Sequence, residues 1–178
     1  MSVRPIHLLG SATLRERAVE VGVVDDTVRH LVDDLFETMV AYKGVGLAAN
    51  QVGIARRIAV VDTGDQHPIV LIDPLIIERE GADLEEEGCL SIPDIYGDVE
   101  RATRVVVETT NRDGERLRVE AAELKARAVL HEIDHLEGIL FLDRVSPLKR
   151  WMLLKKWQKQ RKGKTGHLRE AEPATAPE

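Results

Sequence analysis

The five residues His131-Glu132-Ile133-Asp134-His135 constrain this chain more than any other stretch. Residues four apart on a helix lie about one turn apart on the same face. At ~100° per residue, His135 stands ~40° round from His131, and Glu132 ~60° beyond His135. One cation can then meet both imidazoles while the Glu132 carboxylate stays close by, unligated. The usual roles in this pattern are two metal ligands and a general base. The pattern requires a helix, and the spacing predicts one from about Ala121 to Leu136, ended by Gly138. On it Leu124, Ala128, His131 and His135 share one face, while Val129, Ile133 and Leu136 form another. A helix apolar round so much of its circumference belongs in a core.

A catalytic metal with an open position usually has three protein ligands. Glu137 is too near on the same helix to reach round, and Glu170, Glu172 and His167 lie near the C-terminal tail. Cys89, the single cysteine, stands beside Gly88 and offers a thiolate, a strong donor to zinc or ferrous iron. Two other readings of Cys89 stand beside this one. It is a small buried hydrophobe, or it pairs with a histidine as a nucleophile. The last leaves the second histidine and Glu132 without a role.

The chain has 178 residues, enough for one domain with a real core. Its net charge of −6 gives no whole-protein signature of nucleic-acid binding. One cysteine excludes an internal disulfide and suits a reducing compartment. Met1 to Gly10 lacks the apolar core of a signal peptide. No apolar run approaches the ~20 residues of a membrane span. These features point to a soluble cytoplasmic protein.

Residues 1–24 read as a lead-in segment. Asp25 and Asp26 are N-cap candidates for a helix through Val28, Leu31, Val32, Leu35, Phe36 and Met39, ending near Gly44 in a left-handed C-cap. His30 on this helix reads as a surface residue. Gly44-Val45-Gly46-Leu47-Ala48-Ala49-Asn50-Gln51 leaves its backbone bare, open to close approach by another chain. Among its side chains only Asn50 and Gln51 donate hydrogen bonds. Strands are expected at Arg57–Asp62 and at Ile69–Ile77, with a break at Asp73-Pro74, and His67 lies in the loop between them. Residues 78–86 read as a solvated acidic face leading to Glu87-Gly88-Cys89-Leu90-Ser91. One strand is expected over Val99–Thr110, paired through the Asn111–Gly114 turn with a return over Arg116–Val119. Ser146-Pro147 opens a last helix, over 146–162. Leu148, Trp151, Met152 and Leu154 form its apolar side, and it is strongly basic, with no acid until Glu170. The reading is a single catalytic domain over 1–165 and a disordered tail over 166–178.

Three motifs therefore stand in order: Gly44 to Gln51, Glu87 to Ser91, and His131 to His135. With them the chain resembles a peptide deformylase of the bacterial type, from the N-terminal segment through about Pro147. The resemblance implies removal of the formyl group from N-terminal formylmethionine of new polypeptides, with release of formate. It implies one divalent metal, ferrous iron in many members, with zinc, nickel or cobalt able to take the place. By the match Cys89, His131 and His135 are ligands and Glu132 is the general acid/base. The Gln51 side-chain amide and the Leu90 backbone N–H stabilise the oxyanion. A metal lowers the pKa of the water it holds, Glu132 moves the proton, and the two donors meet the charge that develops on oxygen. In the family an apolar pocket beside the metal helix takes the methionine, which assigns Leu124 and Ala128 to its wall and Val45 to its rim. The peptide would pair with the backbone at Gly44 to Gly46. The implied fold is α+β, with antiparallel sheets packed around a central metal-binding helix and a C-terminal helix.

Two departures stand out. Leu130 replaces the glutamine common before the first histidine, which bears on support around the ligands. Gly10 to Arg15 matches the usual Gly-Asp-Pro-x-Leu-Arg run only loosely. The basic C-terminal helix reads either as a solvated amphipathic helix or as a ribosomal-RNA contact near the site where nascent peptides emerge. No DNA or membrane partner is expected. Two other functions compete: an H-E-x-x-H metallopeptidase cutting internal bonds, and a non-catalytic ribosome-binding paralogue.

Overall fold

The computed structural model describes residues 2–171. In chain order its elements are β1 (Ile6–His7), α1 (Asp26–Ala41), β2 (Gly46–Ala48), β3 (Ile58–Val61), β4 (Ile69–Glu80), β5 (Asp83–Cys89), β6 (Ile92–Arg101), β7 (Arg104–Thr110), β8 (Arg116–Ala122), α2 (Glu123–Leu136), α3 (Pro147–Gln160) and β9 (Leu168–Arg169). A five-stranded antiparallel sheet runs β2-β3-β4-β7-β8, while β5 pairs with β6 and β1 with β9. The fold is mixed α and β with antiparallel sheets, as the motifs implied. Among the described residues no helix is long and apolar enough to cross a membrane.

The sheet is covered on both faces, and the two-residue alternation of its strands decides which helix each side chain meets. Leu47, Val60 and Ile72 join Leu31, Leu35 and Met39 of α1 in one cluster. Ala48, Ala59, Val61 and Leu71 join Val129, Leu130, Ile133 and Leu136 of α2 in another. Burial on both sides explains the unbroken apolar run of β3. The other side of α2 meets the β5–β6 hairpin, so the metal helix lies between sheet and hairpin. A third cluster, with Ile92, Ile95 and Val99 of β6, Phe141 and Leu142, closes under Leu153 and Trp157 of α3.

The local signals hold where capping and turn chemistry act alone. The Asp25 carboxylate accepts from Val28 N–H at 2.9 Å, and Ser146 Oγ from Lys149 N–H at 3.3 Å. The β7–β8 hairpin turns at Asn111–Gly114. Elsewhere the structure corrects the expectations. The helix before Gly44 ends at Ala41, and Lys43, with φ 57°, takes the left-handed step in place of the glycine. Gly44 is bare for another reason: a Cβ there would lie 2.7 Å from Leu90 Cδ1. The acidic stretch 78–86 is half of a β-structure, spanning the end of β4 and most of β5. The strand expected over Val99–Thr110 is two strands that reverse at Ala102-Thr103, with Val99 in the hairpin and Val105 to Val107 in the sheet. On α3, Leu153 and Trp157 face inward, while Leu148, Trp151 and Met152 are exposed. The receiving surface sets this face, since a Cβ on Gly97 would lie 3.0 Å from Leu153 Cδ1. The tail expected to be loose from 166 instead returns to pair Leu168-Arg169 with Ile6-His7. The rest of that tail, 172–178, lies outside the described residues.

Candidate metal centre and active-site cleft

Strand β8 passes straight into α2, with Glu123 at φ 51° making the turn. From Ala126 to Leu136 only His131 escapes full burial. The sheet takes the apolar residues of α2, including Leu130, so the residue that departs from the family pattern packs in the core. The other face turns Arg127, His131, Asp134 and His135 toward the hairpin.

The hairpin brings Cys89 to the two histidines. Cys89 Sγ lies 3.3 Å from His135 Nε2, and His135 Nε2 lies 3.2 Å from His131 Nε2. All three ligand atoms lie within 4.8 Å of one another. The structure thus assembles the trio that a separation of 42 positions between Cys89 and His131 left as one of three readings of Cys89. Burial and the positive charge on His131 hold His135 well below its ordinary basicity, which keeps a lone pair available. Burial opposes a proton on His131, yet Cys89 and Glu87 raise its pKa well above the ordinary value. Two imidazoles and a thiol sulfur, with no carboxylate in the set, suit a borderline-soft divalent cation.

Around the trio stands a charged layer that the motifs did not reveal. Glu87 Oε2 meets His131 Nδ1 at 3.0 Å, orienting the ring from behind. Arg101 donates to Glu87 at 2.8 and 3.0 Å and to Asp134 at 2.6 Å. Arg127 Nη1 donates to Glu87 at 2.9 Å, and Arg144 grips Asp134 through two bonds. Burial works against charge on Glu87, but Arg101 and His131 overcome it and hold the carboxyl well below the usual range. Glu87 and Asp134 stood inside the motifs without roles, whereas Arg101 carried no local signal at all.

Glu132 is 4 % exposed, and its Oε2 has no hydrogen-bond partner among the described residues. Burial pushes its carboxyl up to about 7. Gly46 is bare because this carboxylate lies against it: a Cβ would stand 2.5 Å from Glu132 Oε1. Gln51 is fixed by its own loop. Its Oε1 accepts from Ala48 N–H at 2.9 Å, which aims Nε2 at Ser91 Oγ (3.2 Å) and Cys89 Sγ (3.6 Å). Asn50 faces elsewhere, tying Thr13 and Glu16 carbonyls of the N-terminal segment. Leu90 forms the two-residue turn between β5 and β6 with Ser91.

A cleft of about 480 Å³ opens onto these groups. Cys89, His131, Glu132, Gln51 and Leu90 line it, as do Val45, Gly46, Leu124 and Ala128. Of the ten residues singled out from sequence, nine line this cleft, and His135 stands behind His131. The other histidines lie apart: His30 and His67 are exposed, His7 meets Ser11 Oγ at 2.8 Å, and His167 packs over Gly10.

The polypeptide deformylase family model matches residues 3–151. The chain belongs to the polypeptide deformylase family. Among curated deformylases, that of Acetivibrio thermocellus is 52% identical over 145 residues, covering 82% of this chain and 85% of the relative. That of Acidobacterium capsulatum is 47% identical over 166 residues, 91% and 98% of the two chains. Among solved structures, a Legionella pneumophila peptide deformylase superposes with a TM-score of 0.85 at 39% identity, over 90% of this chain and 96% of its own. An Ehrlichia chaffeensis peptide deformylase, solved with actinonin, gives 0.87 at 36% identity, over 93% and 100%. The match reaches past the cleft and into α3, so family membership rests on the whole deformylase framework as well as on its motifs.

Proposed function

We propose that this protein removes the formyl group from N-terminal formylmethionine of newly made polypeptides, releasing formate and a free amine. The observation that carries the reading is the placing of a buried, unpartnered Glu132 carboxylate beside the Cys89, His131 and His135 donors in one cleft. A divalent cation held by that trio supplies Lewis acidity and a lowered pKa for water at its open position. Ferrous iron is the cation we assign, with zinc, nickel and cobalt compatible with the same donors.

The protein's own groups do the rest. A carboxyl near neutrality can both take and return a proton. Glu132 accepts the proton of the water that attacks the formyl carbon, then delivers it to the nitrogen as the C–N bond breaks. Gln51 Nε2 and the Leu90 N–H donate to the formyl oxygen as negative charge builds there. Ala48 holds the Gln51 amide in place before substrate arrives, so little reorganisation is needed. Leu124 and Ala128 supply apolar wall for the methionine side chain, and an extended peptide lies along Gly44 to Gly46.

The test is formate release from a formyl-Met peptide by protein purified without oxygen, with metal content read in the same sample. Formate at about one metal per chain supports the reading. Folded, metallated protein that cuts internal peptide bonds and releases no formate points to the peptidase instead, and inactivity on both points to a binding protein.

The substrate is a nascent chain in the cytoplasm, and α3 presents Lys149, Lys155, Lys156 and Lys159 outward. We assign this basic face to ribosomal RNA. Deleting the helix is a poor test, because Leu153 and Trp157 seal a core. Reversing the four lysine charges should abolish salt-sensitive co-sedimentation with ribosomes; unchanged co-sedimentation overturns the assignment.

A further inference from the structure

We propose that Lys43 and Arg169 form a cationic lip on the cleft that selects formylated peptides with an acidic side chain at their third or fourth residue. The inference rests on the deformylase reading and extends it to substrate choice.

The chemistry described above uses only one end of the cleft. Gly46 lies against Glu132, and from there the chain leads back through Val45 and Gly44 to Lys43 and Tyr42, all lining the same cavity. Arg169 lines it too, although it comes from the far end of the sequence. Three contacts deliver it. Strand β9 pairs with β1, Tyr42 Oη donates to the Arg169 carbonyl at 2.6 Å, and the guanidinium lies 5.2 Å over the Tyr42 ring. Ala171 packs against the cluster that contains Tyr42. Two positive side chains thus share one rim, and among the described residues neither cationic group is ion-paired. Lys43 takes the left-handed step that follows the end of α1, which fixes where the chain turns toward Gly44. The neighbouring acid is the exposed Glu170, while the acids on the cavity wall are Glu132 of α2 and Glu86, Glu87 and Asp94 of the β5–β6 hairpin.

Distance sets which substrate residue is read. An extended peptide advances ~3.3 Å per residue, and Lys43 stands three residue steps before Gly46. With the formyl group at Glu132, the third or fourth residue of a peptide running along Gly46 to Gly44 arrives at the lip.

The experiment compares formyl-Met peptides, amidated at the C-terminus, bearing Asp or Asn at residue three or four. The expected kcat/KM ratio of Asp to Asn is about fivefold at low salt, the order one exposed and one half-buried cation supply. It should fall toward one near 1 M salt. It should fall in Lys43→Asn, which tolerates the left-handed backbone, and drop below one in Arg169→Glu. Equal rates on Asp and Asn peptides at both positions overturn the lip and leave the deformylase reading intact. A ratio that neither variant changes overturns it too. No formate from any peptide, the Asn series included, overturns the deformylase reading and the lip with it.

Discussion

Replacing Gly46 by alanine adds one methyl group at the point where backbone and Glu132 meet. The new Cβ would lie 2.5 Å from Glu132 Oε1 and 2.9 Å from both Cδ and Cγ. Carbon contacts are comfortable at ~3.5–4.0 Å, so the carboxyl must retreat by about 1 Å. It has little room, being 4 % exposed in a closely packed wall. Gly46 does not occupy the left-handed region, so alanine brings no backbone strain and the clash is the whole perturbation. A misplacement of about 1 Å at a reacting group can cost ~10²-fold in rate. Overpacking costs about 1–3 kcal/mol, or ~2–4 °C per kcal/mol in a domain of this size. The assay is kcat on a formyl-Met peptide, with metal content and melting midpoint, for Gly46→Ala, Glu132→Ala and the double variant. Because truncating Glu132 removes the atoms that clash, the methyl should cost little stability in that background. The two changes should couple by about the same 1–3 kcal/mol. Near-wild-type kcat in fully metallated Gly46→Ala, or equal destabilisation in both backgrounds, would refute the steric argument.

Three further outcomes are expected. Gln51→Leu should fold and keep its metal but lose about 10²–10³-fold in kcat, the usual loss for one oxyanion donor; full turnover would remove Gln51 from that role. Arg101→Met leaves Glu87 and Asp134 buried with fewer partners, though Arg127 and Arg144 remain, so about 3 kcal/mol should be lost in denaturant unfolding. A loss under ~1 kcal/mol would show the network to be redundant. Burial opposes charge on Asp34, but the Ser2 N–H and the Arg4 guanidinium hold its carboxyl below the usual range. A depressed carboxyl pKa stabilises the fold above the ordinary carboxylate range, and that contribution is lost as pH falls through the folded value. Unfolding measured down the acid limb should therefore be less steep in Asp34→Asn, and an identical acid limb would count against it.

Sequence alone determined whatever depends on neighbours along the chain. The His131–His135 helix follows from a 3.6-residue period, the starts of α1 and α3 from Asp25 and Ser146, the β7–β8 hairpin from Asn111 to Gly114. Family membership was readable for the same reason, because its motifs are short contiguous runs. Tertiary structure decided whatever depends on which surfaces meet. The place of Cys89 was open until the hairpin set its sulfur 3.3 Å from His135, 46 residues away. Arg101 had none until it reached Glu87 and Asp134 together. The apolar residues of α3 make two stripes, and periodicity ranks neither; Gly97 on β6 gives Leu153 its seat. Arg169 came from a stretch composed like a loose tail, and pairing with β1 turned it into part of the cleft wall. Local hydrogen bonding and helical period are properties of consecutive residues. The partner of a buried charge, or the face a helix buries, is a property of the space that distant segments enclose.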